Sequence, residues 1–179
     1  FLRAAALVNT KLAGADSKLD DTVEFVIAGE DSSRDGSYRA RLECLIAELK
    51  LEGRAHLLGQ IDEDEVPALL ASLDLFVSAS RTESFGMAMV EALACGVPVV
   101  ATATEGAREI VEDGVTGSLV PVGDVNKLAS AVAALLEDEG RRRRLGEGAR
   151  EVAAERFDLA RMVEATERVY AETLGRESP

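Results

Sequence analysis

Glu83-Ser84-Phe85-Gly86-Met87-Ala88-Met89-Val90-Glu91-Ala92 joins two carboxylates to a turn and the start of a helix. Just before it, Leu73-Asp74-Leu75-Phe76-Val77-Ser78-Ala79-Ser80 reads as a buried strand. Just after the turn, residues 87–95 read as a short helix closed by Gly96-Val97-Pro98. The order is strand, loop, helix. The first N–H groups of such a helix lack intrahelical partners and sit at the positive end of its dipole, so they favour an anion. Gly86 lets a phosphate approach closely. Glu83 in the loop and Glu91 in the helix flank that position, at most ~12 Å apart if every step between them were helical. Helical side chains tilt toward the N-terminus, which brings Glu91 back toward the loop. This geometry suits an elongated ligand with hydroxyl groups at both ends and phosphates in the middle.

The same alternation extends on both sides. Residues 1–12 have a helix-like apolar pattern, and 14–21 form a polar turn region. A strand over 23–29 ends in Gly29, and a helix over 37–49 carries Leu42, Leu45, Ile46 and Leu49 at helical spacing. Then come a strand at 56–59, a helix at 63–73, the strand and helix of the opening motif, and a strand at 97–101. A short helix at 107–112 and a last strand at 118–121 are separated by the turn signals Asp113-Gly114 and Thr116-Gly117. Strands alternating with helices predict an α/β fold, a doubly wound, Rossmann-like parallel sheet with right-handed crossovers. The loops after its strands open on one edge, where such sheets bind ligands. After Pro121 the pattern is helical: Asp124 caps a helix through Leu136, a second spans 141–156, and a third over 159–174 has Leu159, Met162, Val163, Thr166, Val169 and Tyr170 as its apolar stripe. Residues 137–144 read as a charged, glycine-interrupted segment between helices. All of this fits one domain over 1–179, with its C-terminal helices at 124–174.

Composition narrows the function. A chain of 179 residues, 47% hydrophobic and 30% charged, can bury one sizeable core. A formal charge of −13 argues against nucleic acid, whose phosphate backbone needs a basic surface, so any phosphate must be held locally. Cys44 and Cys95 lie in helical patterns without metal-ligand spacing and read as reduced core thiols, in keeping with a cytoplasmic setting.

The residues resemble the C-terminal, donor-binding half of retaining glycosyltransferases of the GT-B fold, in particular glycosyltransferase family 4, the glycosyl transferases group 1. The resemblance is carried by Phe25-Val26-Ile27-Ala28-Gly29 and His56-Leu57-Leu58-Gly59-Gln60-Ile61, by Glu83 and Glu91 with Ser84-Phe85-Gly86, and by Glu91-Ala92-Leu93-Ala94-Cys95-Gly96-Val97-Pro98-Val99-Val100-Ala101-Thr102. Arg108-Glu109-Ile110-Val111-Glu112-Asp113-Gly114-Val115-Thr116-Gly117 completes it. A bare pair of glutamates is weak evidence; this ordered set is strong.

The resemblance implies a nucleotide-diphosphate sugar lying across the strand ends, with no cofactor and no metal. By that similarity Glu83 hydrogen-bonds donor-sugar hydroxyls as the catalytic-site carboxylate, backbone around Ser84, Phe85, Gly86 and Met87 holds sugar and phosphate, Glu91 takes the ribose, and Gly29, Gln60 and Ile61 meet the base. It implies a hexosyltransferase or mannosyltransferase-like enzyme of polysaccharide or lipopolysaccharide synthesis, placed in the cytoplasm or at the inner face of the membrane. The acceptor would be a glycan, a lipid or a small molecule, held by an N-terminal acceptor domain that these residues do not include.

Relatives also carry a central strand and a glycine-rich loop with an Arg and a Lys ahead of this region. The expectation is therefore a sheet without its first, central strand beside the one at 23–28, and an isolated chain that is inactive. A further departure is Thr104-Glu105-Gly106, where relatives often have two glycines.

Plainer readings stand beside these. Glu83 alone could be a loop carboxylate capping the following helix, and Glu91 a helical glutamate paired with a cation. His56 reads as structural, and Met87 and Met89 as packing residues. Phe85 is either core filler or part of a ligand-facing turn. Arg141 to Arg144 read as a solvated helix face, with peripheral contact to an anionic membrane as the alternative. A nucleotide-sugar epimerase or phosphorylase of the same fold, or a non-catalytic doubly wound ligand-binding or signalling domain, are the competing functions. An exposed stripe on the last helix would lead to self-association.

Overall fold

The computed structural model describes residues 1–14, 23–31 and 36–175. Its elements alternate as the pattern requires: α1 (Leu2–Gly14), β1 (Phe25–Ala28), α2 (Ser37–Glu48), β2 (Ala55–Gly59), α3 (Val66–Ala71), β3 (Phe76–Ser78), α4 (Met87–Ala94), β4 (Val99–Thr102), α5 (Glu105–Ile110) and β5 (Gly117–Val120). Three helices follow: α6 (Val125–Glu137), α7 (Glu139–Arg156) and α8 (Leu159–Thr173). The polar turn expected over 14–21 lies, apart from Gly14, outside the described residues.

Every strand pairing among the described residues is parallel. β1 pairs with β2, in register Phe25 to Ala55 and Ile27 to Leu57 with an irregularity before Ala28. β4 lies between β3 and β5. All four β4 residues are buried, and successive side chains of a strand point to opposite faces. Val100 joins a core cluster with Leu2, Ala5 and Val8 of α1 and Leu128 and Val132 of α6. Val99 and Ala101 join another with Met89 and Leu93 of α4, Ile110 of α5 and Ala149 of α7. Helices therefore cover both faces of the sheet, the doubly wound arrangement, and this is why β4 reads as an unbroken apolar run.

Among the described residues the sheet is not continuous. β1–β2 and β3–β4–β5 are separate ladders, and a cavity of about 1300 Å³ is lined by Phe25, Val26 and Ile27 on one side and by Phe76 and Val77 on the other. The split agrees with the expectation of a missing strand beside β1. Cα spacing between paired strands is about 4.8 Å, so an absent strand leaves two edges without ladder partners.

Several local expectations need correction. Residues 137–144 are not a linker: Asp138 ends α6 and caps α7, its carboxylate accepting from the Arg141 N–H at 2.8 Å. Arg142 does not belong to a solvated face, since its guanidinium donates to the Leu135 and Leu136 carbonyls at the end of α6 and lies 3.5 Å from Asp74. A cation suits those unsatisfied carbonyls. Cys44 is exposed and only Cys95 is partly covered. The α5 helix begins two residues earlier than the sequence pattern suggests, because Thr104 caps it through the Ala107 N–H. The apolar stripe of α8 has no partner among the described residues, with Leu159, Met162, Val163, Val169 and Tyr170 between 44% and 68% exposed. No helix among the described residues is long and apolar enough to cross a membrane.

Candidate donor-binding site

The end of β3, the loop after it and the start of α4 are held by backbone contacts. The buried Thr102 hydroxyl, at the end of β4, donates to the Ser80 carbonyl at 2.5 Å, with the Ser78 carbonyl 3.4 Å away. The Gly106 N–H donates to the Glu83 carbonyl at 3.1 Å. Gly86, the residue before α4, has φ 105° and ψ 58°. Only glycine adopts such angles readily, and they turn the chain from the loop into the helix. No side chain caps α4, so its first N–H groups remain available to an anion.

Glu83 lies in the loop before this helix start and Glu91 within α4. Glu83 is half-buried, Glu91 is exposed, and Ser84, Phe85 and Met87 are exposed. Glu91 shares the large cavity with Ala88, Ala28 and Ile61. Gly29 and Gln60 stand at the ends of β1 and β2, where the Gly29 N–H donates to the Gly59 carbonyl at 2.8 Å. The structure thus brings Glu91 and Ile61 onto one cavity; Glu83, Ser84, Phe85, Gly86, Met87, Gly29 and Gln60 are adjacent in chain but do not line it.

Three residues to which the sequence reading assigned no role belong here. Arg81 lines the same cavity as Glu91 and supplies a cation to it. A lone arginine in a loop carries no pattern that would single it out. Thr102 ties the β3 loop to β4, and a threonine at a strand end looks like any other. Gly106 must be glycine: a Cβ there would lie 2.3 Å from the Phe85 carbonyl oxygen. Glu105, beside it, is exposed in the first turn of α5, where its charge suits that helix's own dipole. His56 packs at the start of β2 with Nε2 3.7 Å from a Glu24 oxygen, beyond hydrogen-bond reach.

Comparison with known proteins agrees with this layout. The family model of glycosyl transferases group 1 matches residues 1–152. N-acetyl-alpha-D-glucosaminyl L-malate synthase of Bacillus anthracis is 40% identical over 130 residues, which is 73% of this chain and 34% of that protein. The chain spans about a third of the length of the curated relatives it matches, 34% to 39% for three of them. Anabaena Alr3699/HepE, solved with UDP and glucose, superposes with a TM-score of 0.77 at 32% identity, covering 94% of this chain and 44% of that one. The C-terminal domain of a group 1 glycosyl transferase (LpcC) from Francisella tularensis, 24% identical, shares the fold at a TM-score of 0.74 over 88% of this chain and 79% of that one. Parallel strands covered on both faces, an uncapped helix start between two glutamates and a family match across most of the residues converge: the chain belongs to the glycosyl transferases group 1, with the fold of a GT-B C-terminal domain.

Proposed function

We propose that this chain is the donor-binding part of a retaining glycosyltransferase that uses a nucleotide-diphosphate sugar. The observation that carries the reading is the uncapped start of α4, set between Glu83 and Glu91 and turned by Gly86. In transfer the bond between the anomeric carbon and the diphosphate oxygen breaks and its electron pair leaves with the diphosphate. The carbon becomes oxocarbenium-like and takes the acceptor oxygen on the face the diphosphate left, while the acceptor O–H bond breaks and its proton passes to the departing diphosphate. Negative charge grows on phosphate, and donors fixed at the helix start stabilise it without reorganising. Glu83 orients the sugar through its hydroxyls, Glu91 accepts from the ribose hydroxyls, and the strand ends at Gly29, Gln60 and Ile61 meet the base. Bound UDP in the HepE structure supports a uridine nucleotide as the first candidate. An acceptor domain and the cations that complete the diphosphate site would come from outside these residues, and the enzyme would work in the cytoplasm on a glycan, lipid or small-molecule acceptor.

The test is thermal stabilisation by UDP, GDP, ADP and their sugars. A ligand bound only by the folded state raises stability by RT ln(1 + [L]/Kd). One nucleotide should stabilise selectively, and Glu91→Ala, at an exposed position, should abolish that shift while leaving the unliganded melting temperature in place. Equal shifts with every nucleotide, or none at millimolar concentration, would overturn the reading.

A further inference from the structure

The turn at 83–86 is gripped from two sides. On one side is the N-terminal end of α5: the Gly106 N–H donates to the Glu83 carbonyl at 3.1 Å, and the backbone of Phe85 lies so close to Gly106 that a Cβ would meet its oxygen at 2.3 Å and its Cα at 2.8 Å. On the other side is the junction of α7 and α8. The Phe85 ring meets the Phe157 ring edge to face, centroids 6.2 Å apart at 79°. Phe157 is itself held, because the Arg156 guanidinium lies 5.2 Å from its ring centroid.

Arg156 closes the circuit. Its guanidinium donates to the Glu109 carbonyl at 2.6 Å, in the last turn of α5, and to Glu112 Oε1 at 2.8 Å, two residues beyond that helix. The two grips on the turn are therefore the two ends of one short helix, one directly and one through Arg156 and Phe157. A planar guanidinium that donates in two directions while stacking on a ring fixes that ring more firmly than a point charge could.

We infer that Phe157, held by Arg156, is a positioning residue for the 83–86 turn: it braces Phe85 and thereby sets where the Glu83 carboxylate stands. Phe157 lies 72 residues beyond Phe85 in the chain and is not itself one of the expected ligand contacts. The functional consequence rests on the donor reading above, in which Glu83 holds the sugar and Glu91 the ribose. Loosening the turn should then weaken recognition of the sugar and spare that of the nucleotide.

Two measurements on the whole chain test this, with Phe157→Ala, Phe157→Tyr and Arg156→Gln. Amide hydrogen exchange without ligand reads the brace directly. Exchange at the Gly106 and Met89 amides, which donate to the Glu83 and Gly86 carbonyls of the turn, should quicken about tenfold in Phe157→Ala, the upper end of the loss expected for an edge-to-face ring pair, and stay near wild type in Phe157→Tyr, which keeps the ring. Arg156→Gln should fall between. Amides of β4 should not change. Calorimetric titration then compares UDP-glucose with UDP, with GDP-mannose and GDP and with ADP-glucose and ADP alongside. The ratio of nucleotide-sugar to nucleotide affinity should drop in Phe157→Ala and recover in Phe157→Tyr. Unchanged exchange at Gly106 and Met89, or exchange that quickens equally in β4, overturns the inference whatever binds. A wild-type chain that binds none of the six compounds would overturn the donor reading while leaving the brace to be judged by exchange. Faster exchange at the turn with an unchanged affinity ratio refutes the link from Phe157 to the sugar.

Discussion

Replacing Gly86 with alanine separates two contributions that meet at the start of α4. The residue has φ 105°, beyond the left-handed well near +57° that L residues tolerate, and holding alanine there costs about 1–3 kcal/mol. The added Cβ would also meet Met89 Cε at 2.2 Å and Glu83 Cγ at 3.2 Å. Met89 is 2% exposed, so its end cannot swing into solvent, and crowding of this kind adds about 1–3 kcal/mol. The sum is about 2–6 kcal/mol. Gly114 is the control: its φ is +79° and a Cβ would meet nothing within 4 Å, so Gly114→Ala carries only the backbone cost of about 1–2 kcal/mol. In a protein of this size each kcal/mol moves the melting temperature by about 2–4 °C. Calorimetry should therefore show Gly86→Ala melting well below Gly114→Ala, and nucleotide stabilisation should survive only in the latter. If Gly86→Ala melts no lower than the control, the packing described at the helix start is wrong.

Other consequences follow from single contacts. Thr102→Val keeps the shape but strips the Ser80 carbonyl of its partner, so it should lower stability by about 1–3 kcal/mol in urea unfolding, whereas an unchanged midpoint would show that the hydroxyl is dispensable. Asp138→Ala removes the cap of α7 and should lower the melting temperature by about 1–8 °C, while Glu137→Ala, with no capping contact, should not. Met162→Glu with Val169→Glu places charge in the exposed stripe of α8; light scattering should give a smaller mass than for the parent chain at equal concentration, with no change in melting temperature. A parent chain already monomeric at high concentration would refute self-association through that stripe.

The sheet was legible where burial on both faces left continuous apolar runs, as at Val97 to Ala101, and where Asp124 stood directly ahead of a helical pattern. It was less legible where one residue serves two elements. Asp138 closes α6 and opens α7 within a stretch whose charges hide any period, and Arg142 is drawn from that stretch to carbonyls it could not be seen to face. Cys44 differs for another reason: the stripe of Leu42, Leu45, Ile46 and Leu49 puts it on the opposite face of α2, and there helical periodicity outweighs the usual burial of free cysteine. At the candidate site, Glu83, Gly86 and Glu91 could be singled out because turn, helix start and carboxylates lie within one local motif. Gly106, Thr102 and Phe157 could not, since each acts on that motif through a tertiary contact that no spacing announces.

A chain with a formal charge of −13 that presents two carboxylates beside an anion position needs a reason for them. Each glutamate repels a phosphate about 8 Å away by roughly 0.5 kcal/mol in a water-like medium, so the pair takes back about as much as an exposed helix N-terminus gives, about 0.3–1 kcal/mol. Phosphate binding alone would select against both. As acceptors for hydroxyl donors each is worth about 1.5–3 kcal/mol, which outweighs the repulsion. General acid work would place a carboxyl in apolar surroundings, and Glu91 is exposed. On the donor reading proposed above, the arrangement therefore favours ligands that carry hydroxyls on both sides of their phosphates over free diphosphate, and the position of Glu83, held by Gly106 and Phe85, is the variable on which sugar recognition would turn.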